Sequence, residues 1–178
     1  EIPDTVFHQV DTIALWNAAG EQVNFLKEDS VISIVHLFDA QDEGLSKTLL
    51  SSLKPVVERF KNSKKIKFYS ISINEKETTE NLVNIENLYA KDFPNTWFIT
   101  RTDTAIFDFV HKNLLIDAHR NADSTYSFSN NYLLIDTQRR IRGFYDINQN
   151  KEMERLEDEI KVQVVEEIRN NPLKVEQK

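Results

Sequence analysis

The side chains best suited to chemistry lie at the end of a short apolar run. His36 belongs to the run 31–37, and Asp39 and Asp42 follow it in a turn. An imidazole and two carboxylates at this spacing could bind a metal ion or move a proton. However, strand and turn residues seldom converge on a metal without a third rigid ligand, and hard carboxylates do not suit copper. A metal site formed by His36, Asp39 and Asp42 is therefore the weaker interpretation.

The stronger interpretation of Asp42 is structural. Apolar residues recur at helical spacing from Leu45 to Phe60, so the turn leads into a long helix. Aspartate is a preferred N-cap residue, and the helix dipole favours its charge. We therefore predict that Asp42 caps this helix. The alternative is an acid–base or hard-ligand site formed with Asp39 and Glu43.

The same turn lacks the reactive groups that α/β folds often hold there. Residues 38–44 contain no cysteine, no glycine-rich phosphate loop and no serine. The whole chain has no cysteine, which excludes disulfides, thiol catalysis and thiolate metal sites. We therefore predict no catalytic residue and no cofactor, and the absence of a thiolate argues against an enzyme.

Composition and charge narrow the class of protein. The 178 residues, of which 40% are hydrophobic and 29% charged, are typical of one globular domain covering 1–178. The net charge of −7 argues against nucleic acid as a partner. No stretch approaches the roughly 20 apolar residues of a membrane span. Because the chain opens at Glu1, we expect a processed chain, from which a signal or membrane anchor could have been removed.

Periodicity predicts the elements that must position these residues. We expect an α/β fold, a thioredoxin-like mixed sheet flanked by helices, with an N-terminal β-hairpin in which Gly20 is left-handed. The predicted strands are Thr12–Trp16, Gln22–Phe25, Val31–Leu37, Ile66–Ile73, Thr96–Ile99, Tyr132–Asp136 and Ile141–Tyr145. The predicted helices are Leu45–Phe60, a segment from Thr78 or Thr79 to Tyr89, a segment capped by Thr102, and Lys151–Asn170.

The prediction also covers details within these elements. Pro55 should kink the first long helix. Residues 66–73 alternate as in a partly exposed or edge-adjacent strand. Leu88 and Ile168 should face inward from their helices, and the polar stretch Asp117–Ser127 should be a loop. The charged outer face of the last helix predicts a solvated surface, with a docking surface as the alternative.

Five segments, in order along the chain, resemble the SCO/SenC family of thioredoxin-fold proteins. They are Ile2–Asp4 with Phe7, Asn17–Gly20, Phe68–Ile73, Asn95–Thr100, and, most specific, Leu134–Asp136 followed by Arg140–Asp146, which reads R-I-R-G-F-Y-D. This family is known for copper delivery to, or thiol chemistry on, cytochrome oxidase. The resemblance implies a thioredoxin-like fold, a periplasmic or other extracytoplasmic location in the cell envelope, and a role in oxidase assembly.

The resemblance also indicates where the family's ligands would fall. The family uses two cysteines in a C-P-x-x-C-P turn and one distant histidine, which ligate copper or exchange disulfides. The cysteine positions fall on Phe38 and Asp42, and the histidine position falls on Phe128. The implied copper and thiol site is therefore lost. We expect Phe38 and Phe128 to fill the former pocket with apolar surface, and an aromatic ligand groove is the alternative.

Two functions are compatible with these observations. The first is a non-catalytic SCO/SenC-like binding or assembly module in the cell envelope, which acts through an unidentified protein partner. The second is an active copper-delivery or redox protein that uses non-standard ligands. The absence of cysteine favours the first, because thiol exchange requires a thiolate. His8, His111 and His119 lie in different predicted elements and are interpreted as surface residues.

Overall fold

The computed structural model describes residues 8–170. In this part of the chain the strands are β1 (Leu15–Trp16), β2 (Gln22–Val23), β3 (Ile32–Phe38), β4 (Ile66–Ser72), β5 (Trp97–Thr100), β6 (Ala118–Arg120), β7 (Tyr126–Phe128), β8 (Asn131–Ile135) and β9 (Ile141–Asp146). The helices are α1 (Glu43–Phe60), α2 (Thr79–Ile85), α3 (Ile106–Phe109) and α4 (Asn150–Asn170); α2 and α3 continue as the π-helical turns Glu86–Ala90 and Val110–Leu114. Within residues 8–170, none of these helices is both long and apolar enough to span a bilayer. The resembling segment Ile2–Asp4 with Phe7 lies outside the described residues.

A five-stranded mixed sheet forms the centre of the fold, in the order β5–β4–β3–β8–β9. β3 pairs in parallel with β4, and β4 with β5, whereas β8 runs antiparallel to both β3 and β9. Ile34 of β3 therefore lies between Phe68 of β4 and Leu134 of β8. The separate β1–β2 hairpin turns at Gly20, whose φ of +77° is the left-handed value that the sequence predicts.

The alternation of side chains along β3 divides the apolar core into two layers. Ile34 and Phe38 belong to a cluster that includes residues of α1, α2 and α4. Val35 and Leu37 belong to a second cluster, with residues of α3 and the β1–β2 hairpin. Because both faces are covered, every residue of β3 is buried, as the apolar run predicts. This arrangement confirms the predicted thioredoxin-like sheet, although Phe38 ends β3 rather than starting the turn.

Strand β4 and helix α1 also bear on the predictions. β4 lies beside the edge strand β5, so the edge-adjacent interpretation is confirmed, but β4 is buried almost throughout and is not partly exposed.

Asp42 is the N-cap of α1, since its Oδ1 accepts a hydrogen bond from the backbone N–H of Leu45 at 3.1 Å. The helix continues through Pro55 to Phe60, and the kink expected at this proline stays a prediction.

Three local predictions about the helices are wrong. Thr102 does not cap α3, because its hydroxyl donates to the carbonyl of Ala14 at 2.8 Å and Ala105 occupies the N-cap position. Leu88 is 68% exposed, since it lies in a π-helical turn, whose wider winding shifts the inward face away from the α-helical pattern. Ile168 is also exposed, although it lies on the same face as the buried Ile160, because the last two turns of α4 follow its final buried residue, Gln163.

The polar stretch 117–127 is not a loop throughout. β6 and β7 form an antiparallel hairpin in which Ala118 lies opposite Phe128. The hairpin tip is fixed by polar contacts, since Oδ1 of Asp123 accepts hydrogen bonds from the backbone N–H and the hydroxyl of Thr125. Strands of three residues, held by polar contacts, lack the apolar alternation by which strands are recognised.

The β8–β9 hairpin was predicted and carries the segment that most resembles the SCO/SenC family. Asp136 at its turn accepts a hydrogen bond from the backbone N–H of Arg140 and pairs with the guanidinium groups of Arg140 and Arg142. Gly143 leaves room for the ring of Tyr145, because a Cβ at this position would lie 2.6 Å from the tyrosine hydroxyl oxygen. The residues that carry the resemblance here therefore stabilise the hairpin.

Candidate functional site

A cleft opens at the carboxyl ends of the parallel strands β3 and β4, with a volume of about 570 Å³. Its walls are the turn 39–43 after β3, Asn74 and Lys76 after β4, and the β6–β7 hairpin with the adjoining residues 124–125. In open α/β sheets, this edge is where ligands usually bind. We call it the strand-end cleft and take it as the candidate site.

Asp39 is the buried carboxyl group of the strand-end cleft. It is only 4% exposed, and its Oδ1 accepts a hydrogen bond from the backbone N–H of Gln41 at 3.0 Å. Burial raises the pKa of Asp39 above its ordinary value. The hydrogen bond from Gln41 lowers the pKa, and the charges of Glu77 and Asp42 raise it further. A buried carboxyl group with a raised pKa in a cleft is a candidate for binding a cation or a proton.

A second buried carboxylate, Glu77, was not identified from the sequence. Its Oε2 accepts a hydrogen bond from the hydroxyl of Ser72 at 2.7 Å. Its Oε1 accepts hydrogen bonds from the backbone N–H of Thr78 at 3.1 Å and from the side-chain amide of Asn81 at 3.0 Å. Glu77 thus links the end of β4 to the start of α2. No periodicity or motif marks such a loop residue, because its burial depends on the tertiary fold.

The β6–β7 hairpin is attached to the turn after β4. The guanidinium group of Arg120 lies 2.8 Å from the carboxylate of Glu75, and the hydroxyl of Tyr126 donates to Oδ1 of Asn74 at 3.3 Å. The ring of Tyr126 stacks on Phe107 of α3, with 5.8 Å between centroids. The Arg120–Glu75 pair is half-exposed and contributes little stability. However, the carboxylate of Glu75 offsets the positive charge that Arg120 brings to this wall.

The three positions that the resemblance assigns to lost ligands make structural contacts. Asp42 caps α1. Phe38 is completely buried in the cluster between the sheet and α1. Phe128 is partly buried and packs against both hydrophobic clusters, so it shares the first cluster with Phe38. The correspondence of Phe38, Asp42 and Phe128 with the family's ligands remains a prediction.

His36 is part of a buried hydrogen-bond network rather than of the cleft wall. Its Nε2 lies 2.6 Å from the hydroxyl oxygen of Ser70, which also accepts a hydrogen bond from the indole N–H of Trp97 at 2.9 Å. The Ser70 hydroxyl therefore donates to Nε2, and Nδ1–H of His36 donates to the carbonyl of Leu37 at 3.0 Å. Burial lowers the pKa of His36 to about 3, so the imidazole is neutral at ordinary pH.

These contacts bear on the metal interpretation. In residues 8–170, no group of three or more histidine and acidic side chains could hold a metal ion. Both ring nitrogens of His36 have protein partners, and Asp42 uses Oδ1 to cap α1. Phenyl rings and a carboxylate at positions 38, 42 and 128 also do not fit copper(I), which prefers thiolate and imidazole ligands. His8, His111 and His119 are exposed, as the sequence predicts.

Comparison with solved structures identifies proteins that share this fold. An SCO1/SenC family lipoprotein from Bacillus anthracis aligns with a TM-score of 0.79 at 14% identity, over 92% of this chain and 99% of that chain. BsSco, a member of the Sco family of cytochrome c oxidase assembly proteins, aligns with a TM-score of 0.74 at 15% identity, over 91% of this chain and 96% of its own. The chain has the SCO fold.

A further solved structure with the SCO fold, Arabidopsis thaliana ScoI with copper bound, has a TM-score of 0.64 at 18% identity, over 90% of this chain and 98% of that chain. No family model matches the sequence, and no curated protein matches it. At these identities the comparisons establish the SCO fold alone. In this chain the SCO fold is combined with a sequence that has no cysteine.

Proposed function

We propose that this chain is a non-catalytic SCO/SenC-like protein that acts through protein contacts, as a binding or assembly module in the biogenesis of a respiratory oxidase. The observation that carries the proposal is the combination of the SCO fold with a sequence that contains no cysteine. Thiol exchange needs a thiolate, and copper(I) needs soft ligands. A protein that keeps this fold without thiols is suited to binding rather than to either reaction.

The contacts of the lost-ligand positions support this proposal. Phe38 and Phe128 contribute to core packing, and Asp42 stabilises the start of α1. The open strand-end cleft offers carboxylate, amide and cationic side chains, which are groups that bind another molecule without a covalent step. We further propose that residues 1–178 act as one domain and that it works in the cell envelope, since a similar structure is that of a lipoprotein.

Deletion of the gene in the organism that encodes it tests the proposal. We expect the amount of assembled cytochrome oxidase, measured from haem absorbance and oxidase activity in membranes, to decrease. Expression of the wild-type chain should restore it, whereas copper added to the medium should not. Unchanged oxidase would contradict a role in assembly. Restoration by copper alone would instead favour the active copper-delivery alternative with non-standard ligands.

A further inference from the structure

A second cleft lies on the other side of the turn 39–43. Its volume is about 510 Å³, and it runs between the start of α1 and the α2 helix with its π-helical turn. Its apolar lining consists of Ala40, Ile85, Leu88 and Tyr89. Gln41 and Glu43 line both clefts, so the two spaces meet at this turn. Six polar or charged residues complete the lining, namely Gln41, Glu43, Ser46, Lys47, Asn81 and Asn84. We call the second space the apolar cleft after its four apolar residues.

The strand-end cleft carries an excess of negative charge. Asp39, Asp42 and Glu43 line it, and the cationic group of Arg120 is offset by Glu75 at 2.8 Å. Lys76 adds one further positive charge. Asp39 is 4% exposed, and its Oδ2 accepts no hydrogen bond from any residue in the described range 8–170. A carboxylate oxygen without a donor, on a largely buried side chain that lines a cleft, favours a cationic hydrogen-bond donor from outside the chain.

The apolar cleft presents a different chemistry. Leu88 is 68% exposed, and the partly buried Ile85 and Tyr89 line the same space. The side-chain amides of Asn81 and Asn84 also line this cleft, and an amide can both donate and accept hydrogen bonds. The combination provides contact area for an aliphatic side chain next to groups that can bind a peptide backbone.

We propose that the two clefts together bind an extended segment of a partner polypeptide, which places a lysine or arginine side chain in the strand-end cleft and an aliphatic side chain in the apolar cleft. This inference rests on the proposed function, because it specifies the protein contact through which that function is exerted. Charge complementarity selects a basic segment rather than an acidic one. The two clefts meet at the turn 39–43, so one continuous chain can occupy both.

Fluorescence anisotropy with synthetic peptides tests the proposal. The labelled probe has the repeated sequence Lys-Thr-Leu-Thr, in which the β-branched Thr favours an extended backbone and Lys and Leu lie on the same side. Two matched probes replace every Lys by Glu or every Leu by Ser. We expect the Lys-Thr-Leu-Thr probe to bind and each replacement to weaken binding by about tenfold or more. Equal affinity for the Ser-containing probe would show that only a cation binds, and equal affinity for the Glu-containing probe would remove the charge argument.

Variants of the protein locate the binding site. Asp39→Asn and Leu88→Ser should each weaken binding of the Lys-Thr-Leu-Thr probe by about tenfold, with the folded state checked by the unfolding midpoint. Asp158→Asn and Val165→Ser change an exposed acid and an exposed aliphatic residue of α4 and are the matched controls. If the α4 variants weaken binding as much as the cleft variants, the assigned surface is wrong.

The two proposals can be contradicted separately. If the Lys-Thr-Leu-Thr probe does not bind while deletion of the gene reduces assembled oxidase, the two-cleft inference is wrong and the proposed function stands. If the probe binds with the predicted sensitivity to Asp39 and Leu88 while deletion leaves the oxidase unchanged, the binding site stands and the proposed function is wrong.

Discussion

At the residue scale, ionisation of Asp39 in the strand-end cleft makes the stability of the folded protein depend on pH. Its pKa is raised in the folded protein, by burial first and then by Glu77 and Asp42, so the folded state holds the proton more tightly than the unfolded state does. The stabilisation of the folded state that comes from this tighter proton binding is fully present below the ordinary aspartate pKa of about 3.9. It is lost as the pH rises through the higher pKa of the folded state.

We therefore expect Asp39→Asn to remove the loss of stability that accompanies ionisation. Relative to wild type, the free energy of unfolding of Asp39→Asn, measured in urea, should be larger at neutral pH than in acid, so the variant is relatively more stable at neutral pH. Asn keeps the oxygen that accepts the hydrogen bond from Gln41. Asp158→Asn, which changes an exposed acid of α4 that does not shift the pKa of Asp39, is the control and should show no such trend. If Asp39→Asn, compared with wild type, is less stable at neutral pH than in acid, the explanation of the pH dependence by Asp39 is wrong.

Phe38 and Phe128 test whether the lost-ligand positions now serve packing. Phe38→Ala should cost about 3–5 kcal/mol of unfolding free energy, because it removes a completely buried ring and leaves a cavity. Phe128→Ala should cost less, since Phe128 is only partly buried. Asp42→Ala should cost about 1 kcal/mol as a lost cap. Thermal unfolding measures all three, and unchanged midpoints in both Phe variants would contradict the packing role.

Residue types predicted some of these roles and not others. Asp42 was identified as a cap because an N-cap depends on local sequence alone. Glu77 was missed, because its burial and its bonds to Ser72 and Asn81 depend on how α2 follows β4. His36 was correctly placed in a buried strand, but its partner Ser70 lies 34 residues away, so its role could not be deduced from spacing.

At the element scale, one polar network connects three adjacent strands in the core. The hydroxyl of Ser70 in β4 binds both His36 in β3 and Trp97 in β5. Ser70→Ala would leave the indole N–H and Nε2 buried without partners, and each such group costs about 1–3 kcal/mol. We expect the urea unfolding free energy to decrease by at least about 2 kcal/mol. Thr100→Val removes a neighbouring buried hydroxyl that binds only a backbone carbonyl and should cost less; an equal cost would contradict a special role for the network.

The elements that were predicted correctly have a strong local signal. β3 is a continuous apolar run, and the β8–β9 hairpin alternates around a polar turn. The β6–β7 hairpin was missed, because its stability derives from Asp123 at its tip and from Tyr126 stacking on Phe107. Since this hairpin forms a wall of the strand-end cleft, the candidate site could not be assembled from the sequence.

At the scale of the whole molecule, the fold was more predictable than the site. The order of strands and helices and the segments Phe68–Ile73 and Leu134–Asp136 indicated the SCO/SenC architecture, even though identities to the three SCO structures compared above are only 14–18%. Such segments are visible because the sheet and its hairpins constrain them. The two clefts depend instead on how the turn 39–43 packs against α2 and β6–β7, which leaves no periodic signal.

A titration of the purified protein with copper(I), in competition with a chromogenic chelator of known affinity, tests the central claim most directly. The claim is that the SCO fold is used here for protein contacts and not for copper or thiol chemistry. Because positions 38, 42 and 128 supply no soft ligand, we expect no copper(I) binding tighter than the micromolar range, about −8 kcal/mol. Stoichiometric uptake with a dissociation constant well below micromolar would contradict the account and would favour metal handling with non-standard ligands.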